Sequence, residues 1–215
     1  MLFRSLQVVA PPGDYLEQFG TVITRSSRVL EPFIAGFVKE AVQSGPLRLL
    51  EIGCGTGVYL HHAAQANPQL TGVALDLQES VIEQARTNLR NWGISDRFRL
   101  LVGDIRTPPP EAAGPFDLIT LHNNVYYFEP DERPALFRLL RSSLAPDGAL
   151  LLTTIVRGTT LASLDFDLAL RCTAGCTPLP SVDEVTAQLR EGGVSDVRVA
   201  RLMPLEPLYG LTARL

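Results

Sequence analysis

Residues 49–60 read LLEIGCGTGVYL, a short apolar run that ends in glycines at 53, 55 and 57 and carries one acid, Glu51, inside it. Few stretches restrict a fold more. A turn this bare lets backbone amides approach a ligand without side chains in the way. The helical pattern that starts at Val58 aims its positive N-terminal end at the same point. The chain is therefore expected to fold through strand–turn–helix units, with a site at the tip of this first strand.

The rhythm continues along the sequence. LRLLEI, LTGVAL, FRLLVG, FDLITL and GALLLTTIV are each short enough to be buried strands. Between them, VYLHHAAQA, SVIEQARTNLRNWG and DERPALFRLLRSSLAPDG carry apolar residues at helical spacing, and Gly93 and Gly148 are expected to end the last two. Strand and helix in alternation give a doubly wound α/β sheet, which binds ligands beyond the carboxyl ends of its strands. A site is then sought at residues 52–57, 76, 104 and 122–127. Residues before Pro46 read as one or two helices leading into the sheet, an N-terminal helical cap over 1–45 beside a single globular unit over 46–215. Residues 157–180 are weakly patterned and suit an insertion that covers substrate. The tail reads as a helix capped at Ser181 or Asp183, then two strands.

Composition narrows the partners. With 215 residues and 46% hydrophobic content, one domain is expected. The net charge is −4 and Lys39 is the only lysine, so there is no phosphate-binding footprint and nucleic acid is not expected as a partner. No run reaches membrane-spanning length, and the interrupted N-terminus does not resemble a signal peptide. Three cysteines, Cys54, Cys172 and Cys176, make no disulfide framework, which points to a reducing, cytoplasmic setting. Cys172-x3-Cys176 has the spacing for a soft metal or metalloid, but two ligands with no following histidine make a thin site, so no metal is assigned.

Two cofactor classes compete for the glycine turn. Dinucleotide sites use G-x-G-x-x-G; here the spacing is G-x-G-x-G, and a pyrophosphate would meet the extra carboxylate of Glu51. A ligand carrying an amino group and a sulfonium would be favoured by that acid. Asp76, 19 residues after Gly57, has the place of a carboxylate that accepts from two ribose hydroxyls, and Asp104 follows the third strand.

LLEIGCGTGVY, VALDLQES, LVGDI, FDLITLHNNVYYF and LRSSLAPDGALLLTT, five segments in order over residues 46–156, resemble the motifs of class I S-adenosylmethionine-dependent methyltransferases. The resemblance implies a Rossmann-like seven-stranded sheet of order 3-2-1-4-5-7-6 with strand 7 antiparallel. It implies that Glu51, Gly53 and Gly55 line the methionine end of S-adenosyl-L-methionine or its product S-adenosyl-L-homocysteine, with Cys54, Thr56 and Gly57 in the same cofactor-binding turn. Asp76 would bind the ribose hydroxyls, Leu77 would pack on the adenine, and Asp104 with the Ile105 amide would bind its edge. Asn123 and Asn124 would lie between the cofactor and the acceptor pocket. Cys54 is expected to be a small buried residue rather than a nucleophile.

Methyl transfer to a nucleophile needs alignment first, and a base only where the acceptor must lose a proton. His122, at the end of the fourth strand, is the candidate base. A packed histidine beneath the cofactor is the other reading. Tyr126 and Tyr127 offer an aromatic wall for the acceptor or, alternatively, core packing. Tyr15 and Arg25 could close over the site from the cap, whereas His61 and His62 are expected to be structural. The expected activity is methyl transfer to an oxygen or nitrogen of a small molecule by a monomer or homodimer. A protein that holds the cofactor without transfer, and an arsenite or protein methyltransferase, remain as alternatives. HNNVYY lacks the paired prolines found in enzymes that act on base nitrogens.

Overall fold

The structure, a computed structural model, describes residues 14–42 and 44–214, with side chains from residue 28 onward. The chain runs α1 (Asp14–Ala41), β1 (Leu47–Ile52), α2 (Val58–Ala66), β2 (Leu70–Asp76), α3 (Glu79–Asn91), β3 (Phe98–Val102) and β4 (Phe116–His122). It continues through α4 (Arg133–Ser142), β5 (Leu144–Ile155), α5 (Leu161–Arg171), α6 (Val182–Glu191), β6 (Asp196–Arg201) and β7 (Leu208–Arg214). The seven strands form one sheet of order β3-β2-β1-β4-β5-β7-β6, with β7 antiparallel to both neighbours and the other pairings parallel. This is the Rossmann-like order expected from the motifs. The strand sequence reverses direction between β1 and β4, so the crevice of a doubly wound sheet opens at the carboxyl ends of these two strands.

Period-two alternation divides the core into two layers. Leu50 and Ile52 of β1 point to the layer of α4 and α6, with Phe137, Leu140, Val185 and Leu189. Leu49 points the other way, among Leu60 and Ala63 of α2, Ile82, Ala85 and Leu89 of α3, and Ile34 and Val38 of α1. Burying each leucine-sized side chain stabilises the fold by about 1.5–3 kcal/mol, so both layers contribute substantially. Glu51 follows Leu49 onto its face and is only 2% exposed. It is a carboxyl group at a position where the pattern calls for an apolar residue.

The segment from Asp14 is a single helix, α1, one of the two arrangements expected, with Pro32 inside it and with Ile34 and Val38 packed into the layer with α2. Two expectations change. Gly148 does not end a helix: α4 stops at Ser142, and Gly148 lies in β5 beside the irregular pairing of Phe116 and Leu118, where a Cβ would meet the Phe116 carbonyl oxygen at 2.9 Å. The weakly patterned stretch 157–180 holds a helix, α5, started by Thr160, whose hydroxyl accepts from the Ser163 amide. α6 has a capping box, Ser181 accepting from Glu184 N and Glu184 accepting from Ser181 N, a device worth about 1 kcal/mol.

Candidate active site

The turn between β1 and α2 is held open by left-handed glycines. Gly53 has φ 64° and Gly57 φ 79°; a Cβ on Gly57 would come within 2.7 Å of Leu89, and one on Gly53 within 2.7 Å of the Asn124 side-chain nitrogen. A side chain at either position would be strained and would displace its neighbour. Asp76, at the end of β2, grips the turn from the adjacent strand: Oδ2 accepts from Gly55 N at 3.0 Å and Oδ1 from Gln78 N at 3.1 Å. Thr56 is fixed through its carbonyl, which accepts from Asn88 Nδ2 at 3.0 Å. Cys54 is buried, and burial pushes its thiol up, so it is not an accessible thiolate.

Beyond Asp76, Leu77 is 53% exposed, an apolar side chain in solvent beside a polar turn. Asp104, two residues past β3, accepts from Arg106 N at 2.9 Å and pairs with Arg106 Nη1 at 2.9 Å. Ile105 packs into the core behind it. Glu51, the glycine turn, Asp76, Leu77 and Asp104 thus occupy three successive strand ends.

The end of β4 completes the crevice. Glu51 pairs in register with Thr120, and His122 with Thr153, so the residues of one sheet face lie side by side. His122 Nδ1 lies 3.0 Å from Thr153 Oγ1, and its ring packs against Tyr59 at 4.7 Å between centroids. Asn123 has a left-handed φ of 53°, which asparagine tolerates better than most residues, and its amide donates to the Thr153 carbonyl at 2.7 Å. Asn124 Nδ2 donates to the Ile52 carbonyl at 2.6 Å. Buried polar atoms are normally paired. Yet Glu51 Oε1, Thr120 Oγ1, His122 Nε2, Asn123 Oδ1 and Asn124 Oδ1 are all buried without a hydrogen-bond partner, gathered at the ends of two neighbouring strands.

Burial sets the electrostatics of this floor. It raises Glu51 to about 8, with Asp76 adding to the effect, so the acid is mostly protonated near neutrality. It also raises Asp76, against the backbone amides of Gln78 and Gly55, which hold the carboxylate down. It lowers His122 to about 3, leaving a neutral ring. Sequence reasoning missed Thr120 and Tyr59. Thr120 was findable, because it alternates with His122 on the same strand face; Tyr59 needed the packing of α2.

On the far side of the floor, Tyr126 is 4% exposed and packs with Phe166 of α5 in an edge contact at 5.4 Å, while Tyr127 is half-buried. Tyr126 thus belongs to the core packing as well as to the loop after β4. His62 faces Glu31 of α1 at 2.9 Å and His61 stacks on Trp92, so both are structural, as expected. Cys172 and Cys176 form no disulfide, and no metal-ligating cluster occurs among the described residues. The side chains of Tyr15 and Arg25 lie outside the described residues. No helix among the described residues is long and apolar enough to cross a membrane.

Residues 49–148 match the family model of the methyltransferase domain. The chain is 30% identical over 128 residues to a ubiquinone biosynthesis O-methyltransferase of Xanthomonas axonopodis pv. citri, covering 60% of this chain and 51% of that one. It is 40% identical over 88 residues to a catechol O-methyltransferase of Mycobacterium tuberculosis, covering 38% and 40%. The chain thus spans about half the length, or less, of these curated relatives. Its fold superposes on mitomycin 7-O-methyltransferase MmcR with a TM-score of 0.73 at 22% identity, covering 93% of this chain and 60% of that chain. It also superposes on an O-methyltransferase family 2 protein of Planctomyces limnophilus in complex with apigenin, with a TM-score of 0.75 at 18% identity, covering 97% and 63%.

Proposed function

We propose that the chain, whose residues 49–148 match the methyltransferase domain model, transfers a methyl group from S-adenosyl-L-methionine to a hydroxyl oxygen of an aromatic small molecule. The observation that carries this reading is the group of unpartnered polar atoms at the ends of β1 and β4, above all the buried Oε1 of Glu51 beside the glycine turn. That set fits a ligand with an ammonium group, and the exposed Leu77 fits an apolar ring at the other end. The relatives named above support oxygen as the acceptor atom.

Bound there, the cofactor supplies an electrophilic methyl group. Glu51 ionises against the amino group, and Asn123 and the turn at Gly53–Gly57 line the methionine end with backbone and short side chains. Asp76, already held by Gly55 and Gln78, presents its remaining acceptor capacity to the ribose hydroxyls. Leu77 packs against the adenine, and Asp104 with the Ile105 amide borders its edge. Asn124, Tyr126 and Tyr127 face the acceptor side.

His122 is the proton acceptor. In the tautomer whose Nδ1–H donates to Thr153, Nε2 keeps its lone pair for the acceptor hydroxyl. Burial leaves the ring neutral at any physiological pH but weakly basic, so it takes the proton as the oxygen–methyl bond forms rather than generating a free phenolate beforehand. Most of the rate then comes from alignment, for which His122 is held on both sides by Thr153 and Tyr59.

The test is incubation with methyl-labelled S-adenosyl-L-methionine and a panel of phenols and amines. Label on a phenol oxygen supports the proposal. Cofactor binding with no labelled product from any acceptor would contradict transfer and leave a cofactor-holding protein.

A further inference from the structure

Resting on that reading, we propose that Arg133 is a positioning residue that fixes the acceptor side of the site by knotting the loop after β4 to the segment after α5. Arg133 is 2% exposed, the largest fully buried side chain of the described residues. Its Nε donates to the Phe128 carbonyl at 3.1 Å and its Nη2 to Thr177 Oγ1 at 2.7 Å. Thr177 in turn gives both its donors to one atom: its amide at 2.8 Å and its hydroxyl at 3.1 Å reach the Tyr126 carbonyl. The loop tied in this way is the one that carries Asn123, Asn124, Tyr126 and Tyr127.

The segment after α5 is fastened at a second point, where Leu179 N donates to Asp167 Oδ1 at 2.7 Å. One residue before Asp167, Phe166 meets the Tyr126 ring. Breaking the Arg133 link therefore leaves α5 and residues 172–180 held to the loop only by the Thr177 bonds to the Tyr126 carbonyl and by the Phe166 contact. The cofactor side has its own arginine: Arg106 joins Asp104 to the Tyr127 carbonyl through Nη1 and Nη2 at 2.9 and 3.1 Å. None of the Arg133 bonds reaches Glu51, the glycine turn or Asp76.

Packing alone does not call for an arginine here. Among the described residues no carboxylate forms an ion pair with Arg133, and burial pulls its guanidinium below the usual arginine range. A buried unpaired charge is costly, and methionine would fill similar space without that cost. What methionine lacks is the pair of donors that joins Phe128 to Thr177.

The test compares Arg133→Met, Thr177→Val and Thr177→Ser with the wild type by calorimetry with S-adenosyl-L-homocysteine, hydrogen exchange, and kinetics with catechol as acceptor. The expected affinity for S-adenosyl-L-homocysteine stays within about twofold in all four proteins. Exchange over residues 125–128 and 177–179 speeds up by about tenfold or more in Arg133→Met and Thr177→Val, and Thr177→Ser, which keeps the hydroxyl, restores protection. In the same two variants the KM for catechol rises about tenfold while kcat changes little. A loss of S-adenosyl-L-homocysteine affinity alongside the exchange change, unchanged exchange, or equal behaviour of Thr177→Val and Thr177→Ser would each overturn the proposal. A wild type that leaves catechol unmethylated counts against the catalytic reading instead, and the exchange and affinity results then decide the knot by themselves.

Discussion

The Asn124 side-chain amide donates to the Ile52 carbonyl across 2.6 Å, and that one bond stitches the end of β4 to the end of β1 at the point where the sheet changes direction. The same nitrogen occupies the space that a Cβ on Gly53 would need. The cofactor turn and the acceptor loop are thus in contact at Asn124, which none of the Arg133 bonds touches.

Gly53→Ala must hold φ near 64° and push Asn124 away from Ile52. It is expected to cost about 1–3 kcal/mol of stability and to weaken S-adenosyl-L-homocysteine binding by about tenfold or more. Chemical denaturation and calorimetry measure both. A wild-type affinity in this variant would show that the contact is not part of the site.

Glu51 ties stability and binding to pH. Its folded value near 8 lies above its ordinary value of 4.5, so the unfolded chain releases the proton first, and the apo protein loses stability as pH rises from 4.5 to 8. Glu51→Gln should flatten that slope while lowering S-adenosyl-L-homocysteine affinity by about 100-fold or more. In the wild type, an arriving ammonium favours the carboxylate, so binding at pH 7 should release about one proton, whereas at pH 9 Glu51 is already ionised and the ligand's amine takes up a proton instead. Titrations in buffers of different ionisation heat read the proton directly; an identical proton count at both pH values would remove Glu51 from the ammonium site.

His122 has the opposite sign. Its value is lowered from 6.5 to about 3, so below 6.5 the unfolded chain binds the proton that the folded ring refuses, and stability falls as pH drops through that window. His122→Asn should abolish this contribution and lower kcat by about 10²–10⁴-fold with S-adenosyl-L-homocysteine affinity retained. An unchanged kcat would leave His122 as packing beneath the site.

Asp76→Ala removes the acceptor for Gly55 N as well as the proposed ribose ligand. Affinity for S-adenosyl-L-homocysteine is expected to drop by about 100-fold, because a buried acceptor is lost and the turn is loosened together. Asp76→Asn, which keeps one acceptor for the turn, should lose less. Equal losses in the two variants would mean that the carboxylate serves the turn alone.

Most strands were legible because β1, β2 and β4 are apolar runs of strand length, each next to a helix with a clear face, whereas the strand order came from the resemblance of the five motifs. Gly148 misled, since a glycine after a helical pattern reads as a cap, whereas here it admits the Phe116 carbonyl in a bulged strand. α5 was hidden because Leu161, Leu164 and Leu168 are exposed while Phe166 faces inward, so its apolar residues do not make one buried stripe. The acids and glycines of the site were readable from spacing along the chain. Arg133 and Thr177 were not, because their bond spans 44 residues and an arginine opening an amphipathic helix reads as solvated.

The most direct measurement is a calorimetric titration of the purified chain with S-adenosyl-L-methionine, S-adenosyl-L-homocysteine and NAD. The account predicts one site per chain for the first two, weakened about 100-fold in Glu51→Gln and in Asp76→Ala, and no heat from NAD. Binding of NAD with no binding of either adenosyl compound would contradict it.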